Sequence, residues 1–80
     1  MKILAARLKE LREGRRIYQR EMAEMLGLTV RGYQCYETDD SEPKLETLVA
    51  IADYFGVSID YLVGRTDVPA MRKKSNREKP

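Results

Sequence analysis

Four residues in the stretch from Gln19 to Glu37 carry side chains suited to reading another surface: Val30, Arg31, Gln34 and Cys35. An arginine fork can grip guanine, a glutamine amide can grip adenine, and a small apolar group can meet a thymine methyl. The chemistry on offer is recognition of a duplex edge in the major groove, not the breaking of bonds. The chain has no histidine, a single cysteine and no glycine-rich phosphate loop. No nucleophile with its base and no metal-ligand set can be assembled from that inventory. The sequence predicts no enzyme, no cofactor, no metal site and no evident small-molecule effector.

Such side chains need a short helix held outward by another. Met22, Ala23 and Leu26 mark one apolar helical face in the first half of the stretch. Gly27 can take φ > 0 at a helix end without a Cβ penalty. Leu28 is an apolar plug, and Thr29 is a good N-cap for a helix over about 29–37. Tyr33 and Tyr36 sit three apart and centre the buried side of that helix. At about 100° per residue, Arg31, Gln34 and Cys35 then point away, with Val30 and Gly32 on the flanks. A glycine in mid-helix is about 1 kcal/mol worse than alanine. Gly32 either allows close approach to a sugar-phosphate wall or is simply tolerated, and tolerance is favoured. Cys35 either touches a thymine methyl or contributes little, and nothing nearby argues for a redox role.

The pattern Gln-(x)3-Ala-(x)3-Gly-Leu-Thr, followed by Tyr33 and by Tyr36-Glu37, resembles the helix-turn-helix of phage Cro and lambda-repressor-like regulators, the XRE group. The run Ser58-Ile-Asp-Tyr-Leu-Val-Gly-Arg-Thr-Asp67 is also similar to the end of many such domains, so the resemblance covers residues 3 to about 67. It implies an all-α fold, a compact five-helix lambda-repressor-like DNA-binding domain. It implies that Gln19 contacts the DNA backbone, where a helix N-terminus also favours an anion; the alternative is a solvated polar residue. It further implies that Arg12 pairs with Glu37 and ties the first helix to the end of the third, and that dimer contacts lie near the fifth helix and the loop before the fourth, with Tyr61 and Val63 as candidates; the alternative is that both are core or simply exposed.

The remaining elements follow from periodicity and punctuation. Leu4, Leu8 and Leu11 mark a first helix over 3–13, ended by Gly14. Arg15 and Arg16 at its exit either complement the helix dipole or contact phosphate. Tyr18 could reach the same phosphate as Gln19, Thr29 is a further phosphate candidate, and Arg20 reads as solvated surface. Asp39, Asp40 and Glu42 occupy a loop where the family usually offers cations, leaving Lys44 as the phosphate candidate there. A fourth helix spans about 45–55, with Leu45, Leu48, Ile51, Ala52 and Phe55 as its buried stripe, Pro43 before it and Gly56 after it. Ser58 caps a short fifth helix, Ile59 to Val63, ended by Gly64. Residues 68–80 read as a flexible basic tail that either raises non-specific DNA affinity or has no role. No effector domain is expected beyond it.

Eighty residues make one domain, 1–67, near the lower limit for a single core. The net charge of +2 conceals an asymmetry: residues 1–31 carry eight basic and four acidic groups, residues 32–64 one and seven, and residues 65–80 six and two. A polyanion should meet the first two helices and the tail. No secretory signal or membrane span is visible, and the expected location is the cytoplasm. The sequence therefore predicts a DNA-binding transcriptional regulator, a repressor acting as a homodimer on a pseudo-palindromic operator in double-stranded DNA. The alternative is a protein-interaction module of the same fold, antitoxin-like or a partner of another regulator.

Overall fold

The computed structural model describes residues 2–69. Leu4, Ala5 and Leu8 line the inner face of α1 (Lys2–Gly14) and are buried, with Leu11 packed at the margin. α1 therefore begins one residue earlier than expected and contains Gly14. The chain is reversed by Arg16, at φ 58°, not by the glycine. The Arg16 and Ile17 amides donate to the carbonyls of Glu13 and Arg12 at 3.0 and 3.1 Å. A non-glycine residue in the left-handed region costs about 1–2 kcal/mol, so this turn is held by its surroundings.

α2 (Gln19–Leu26) and α3 (Val30–Glu37) form the helix-turn-helix. Met22 and Ala23 are buried, and Leu26 and Leu28 pack against the same core. Gly27, at φ 72°, closes α2, and its left-handed backbone turns the chain within two residues. Tyr33 is completely buried, and Tyr36 lies partly buried beside it, edge-on at 6.3 Å between ring centroids. Both tyrosines thus face the core as the sequence predicts.

α4 (Leu45–Phe55) buries Leu48, Ile51, Ala52 and Phe55. Leu45 does not join them; it is 69% exposed. On a helical wheel it lies about 70° from the centre of that stripe, farther out than any of the four buried residues. α5 (Ile59–Leu62) is capped by Ser58, whose Oγ accepts from the Tyr61 amide at 2.9 Å. α1 packs on both α3 and α5, and α4 packs on α5. One continuous core results, with α2 and α3 on one side of it.

The segment after α5 is fastened by a residue that sequence reasoning left unassigned. Arg7 donates to the carbonyls of Tyr61 and Thr66 and to Asp67 Oδ1, the last two at 2.7 Å, and its guanidinium lies 4.0 Å from the centre of the Tyr61 ring. Tyr61, a candidate dimer residue, is thus committed to an intrachain contact on one face. Gly64, at φ 87°, sits so close to α1 that an added Cβ would stand 2.8 Å from Ile3 Cδ1. The basic cluster Arg72, Lys73 and Lys74 of the expected tail lies outside the described residues. Among the described residues, no helix is long and apolar enough to cross a membrane.

Candidate nucleic-acid interface

The exposed side of the α2–α3 pair rests on a buried polar network. Glu37, at the last turn of α3, accepts from Arg12 Nε at 2.6 Å and from Arg12 Nη2 at 3.1 Å, a two-point grip between α1 and α3. The Tyr33 hydroxyl and Gln19 Nε2 donate to the same carboxylate, the latter at 3.1 Å. Arg12 Nη1 also holds the Ile17 carbonyl at 2.8 Å, so one guanidinium ties three segments together. Only 4% of the Glu37 side chain and 11% of Arg12 is exposed. Burial alone would raise the Glu37 carboxyl, but hydrogen bonds from Arg12, Tyr33 and Gln19 outweigh it and hold the group below its ordinary value. Hydrogen bonding to Glu37 raises Arg12 against a smaller opposing effect of burial, and burial followed by the Glu37 hydrogen bond pushes the Tyr33 hydroxyl well up. The ion pair expected from resemblance is present as a shared anchor for three helices.

The network continues outward. Gln34 Nε2 donates to Gln19 Oε1 at 3.0 Å, so a side chain of α3 is coupled through α2 to the buried carboxylate. Gln34 and Cys35 are half-buried, whereas Val30 and Arg31 are exposed. The face of α3 expected to be fully open is therefore graded: open at its N-terminal turn and partly closed one turn later.

Thr29 caps α3 as expected, its Oγ1 accepting from the Gly32 amide at 3.0 Å. A Cβ on Gly32 would lie 3.2 Å from that same oxygen, a tight contact that the cap could relieve only by shifting a few tenths of an ångström. At the start of α2, the Tyr18 amide donates to Glu21 Oε1 at 2.8 Å, and the exposed Tyr18 ring carries the Arg20 guanidinium 5.0 Å from its centre. Lys44 is exposed at the N-terminus of α4 and supplies no side-chain cap. Arg16 is exposed at the left-handed turn.

Arg15 has a different setting from its neighbour. Its guanidinium donates to the carbonyls of Tyr54 and Phe55 at 3.2 and 3.0 Å and stacks 5.0 Å from the Phe55 ring centre. It complements a helix C-terminus, but that of α4, forty residues away in sequence. Two of its guanidinium N–H groups are thus engaged by α4, while the residue as a whole remains exposed and keeps further donors. Nothing in the local sequence separates Arg15 from Arg16; only the packing of α4 does.

This arrangement of two short helices across a glycine turn, locked by Arg12 and Glu37, matches the helix-turn-helix family over residues 8–62. The chain belongs to the XRE-type helix-turn-helix family of transcriptional regulators. Among its relatives, a regulator derived from the SPbeta prophage of Bacillus subtilis, YonR, is 42% identical over 75% of this chain and 56% of its own length. The regulator ImmR of the same organism is 37% identical over 81% of this chain and 51% of its own. The cryptic-phage repressor RstR of Vibrio cholerae is 43% identical over 59% of this chain and 42% of its own. The chain thus spans about half the length of the curated relatives it matches.

Solved helix-turn-helix structures agree in fold. The P22 c2 repressor, crystallised with a synthetic operator, superposes with a TM-score of 0.70 at 26% identity, over 78% of this chain and 94% of that one. A transcriptional regulator from Listeria innocua superposes at 0.76 and 28% identity, over 92% of this chain and 68% of that one. The names of this helix-turn-helix family and its relatives describe regulators, not enzymes.

Proposed function

We propose that this chain binds double-stranded DNA sequence-specifically by seating α3 in the major groove, and that it represses transcription as a homodimer on a pseudo-palindromic operator. The observation that carries the reading is the rigid presentation of α3. Arg12 and Glu37 fix it to α1, Thr29 caps its first turn, and Val30 and Arg31 stand exposed at that turn. Val30, Arg31, Gln34 and Cys35 are the base-facing set. Tyr18, Gln19, Arg15, Arg16, Thr29 and Lys44 are the phosphate set. The likeness to the P22 c2 repressor, crystallised on an operator, and to RstR, named a repressor, supports the assignment. The domain ends near residue 67, where Arg7 fastens Asp67, and its setting is the cytoplasm.

Dimer formation is supported by apolar surface on α4. Leu45 and Val49 are 69% and 40% exposed, and Val49 also lines a groove of about 320 Å³ between α4 and the start of α5. These residues suit a second copy better than Tyr61, which Arg7 covers.

Fluorescence anisotropy across a salt series tests the proposal, using labelled DNA from upstream of the protein's own gene beside a scrambled duplex. A preference for the native duplex that survives moderate salt supports specific recognition. Equal and steeply salt-dependent binding to both would reduce the function to phosphate attraction. Absence of binding to either would favour a protein partner.

A further inference from the structure

We propose that residues 70–74 dock in cis along the groove between α4 and α5, with Met71 on its apolar floor and Arg72, Lys73 and Lys74 beside its carboxylates. This docking does not depend on DNA. The groove encloses about 320 Å³ and is lined by Val49, Ala52, Val57 and Ile59 together with Asp53 and Asp60. Ala52 and Val57 are buried, whereas Val49 is 40% exposed. Asp53 and Asp60 are both exposed. Arg65 approaches Asp60 at 3.7 Å, but both side chains are more than half exposed, and a carboxylate with one such partner keeps free acceptor sites. An apolar trough flanked by carboxylates suits a segment that is first apolar and then cationic.

The chain delivers such a segment to that place. After α5 it turns at Gly64, and its return path is fastened at successive points. The Arg65 amide donates to the Asp60 carbonyl at 2.8 Å, and Arg7 donates to the Thr66 carbonyl and to Asp67 Oδ1, each at 2.7 Å. The Ser58 amide then donates to the Pro69 carbonyl at 3.1 Å. Ser58 also lines the groove, so the described chain ends at its lip. Ala70 and Met71 come next, followed by Arg72, Lys73 and Lys74. An extended chain advances about 3.3–3.6 Å per residue, so five residues reach about 17 Å. Val49 and Asp53 are one helical turn apart, about 6 Å, so five residues can run past both. Methionine, unbranched and polarisable, fills irregular apolar gaps. Lysine and arginine lay their stems on apolar surface while their charged heads stay in water beside the carboxylates. Exposed ion pairs of this kind are individually weak, but the fastened return path makes the contact intramolecular through a short tether, which raises its effective concentration. A docked tail holds its cations over the protein's own acidic side and away from phosphate. Leu45, 69% exposed and outside the groove lining, stays open to a second copy.

Methyl NMR on the full chain, without DNA and at low salt, tests the docking. Cross-relaxation is expected between the Met71 methyl and the methyls of Val49, Val57 and Ile59. Met71→Gln should abolish it and shift those three methyls, while the fully buried Leu8 and Leu62 keep their shifts and report an intact fold. Asp53→Asn should weaken the same cross-peaks, as should added salt. A Met71 methyl without groove contacts, whether it is free or responds only to an added duplex, overturns the proposal. Cross-peaks that arise only between copies, seen by mixing labelled and unlabelled chains, would give the groove to a second copy and overturn docking in cis. Contacts unchanged in Asp53→Asn and at high salt would overturn the part played by the carboxylates.

Discussion

Removing the Glu37 side chain is the most demanding test of how α3 is held. In Glu37→Ala, Arg12 loses its counter-charge while 11% exposed, and the Tyr33 hydroxyl and the Gln19 amide lose their acceptor. Stranding one partner of a buried pair costs about 3–5 kcal/mol. A domain of this length has a total stability of about 4–12 kcal/mol, so the loss is a large fraction of the whole. Replacing both partners, in Arg12→Met with Glu37→Met, leaves no stranded charge. Its expected cost is about 1–3 kcal/mol, chiefly from the unpaired Tyr33 hydroxyl, with the Ile17 carbonyl and the Gln19 amide also losing their partners. Urea titration followed by circular dichroism should therefore rank wild type above the double variant and the double variant above Glu37→Ala. The same network has an acid signature. Because the folded Glu37 carboxyl titrates below its ordinary value of 4.5, the unfolded chain binds more protons there as pH falls. The contribution is complete above the unfolded value and is lost as pH falls through the folded one. Glu37→Gln should flatten that dependence. A loss below about 1 kcal/mol in Glu37→Ala, or a double variant less stable than the single one, would refute the reasoning.

Four further perturbations probe separate parts of the molecule. Gly64→Ala combines φ 87° with a Cβ placed 2.8 Å from Ile3 and should lower the melting temperature by at least about 5 °C; calorimetry checks it. Arg16→Gly relieves a left-handed arginine and should stabilise the fold by up to about 1 kcal/mol. The same change should weaken DNA binding and reduce the salt slope by about one, whereas unchanged affinity would remove Arg16 from the phosphate set. Arg31→Ala should cost about 1–3 kcal/mol of specific binding and relax selection at one base pair, read by anisotropy on matched and mutated duplexes. Ala23→Leu overfills a buried position between the motif helices and should destabilise by about 1–3 kcal/mol or more; unchanged melting and binding would contradict the packing of α2 on α3.

Local chemistry was legible wherever it depends on neighbours in sequence. The α2–α3 turn is readable because Gly27 and Thr29 act on their own backbones, and the stripes of α1 and α4 because periodicity reports a buried face. Those features, together with the pattern from Gln19 to Glu37, determined the five helices, the motif and the family. Leu45 marks the limit of that reasoning, since periodicity names a stripe but not how wide a strip the neighbouring helices cover. Arg15 and Arg16 are identical, exposed residues side by side, yet one donates to the last carbonyls of α4 and the other holds the left-handed turn. Arg7 drew no assignment from its sequence neighbours; its partners, the Tyr61 and Thr66 carbonyls and Asp67, lie more than fifty residues away. The link from Glu37 through Gln19 to Gln34 joins positions 18 and 15 residues apart, on two helices whose relative placement no local preference encodes. Hydrogen-bond partners across helices are chosen by distances of a few tenths of an ångström, and only the packed core sets those. The sequence by itself determined which helix faces outward; the tertiary structure decided which side chains on it are free and which arrive already oriented.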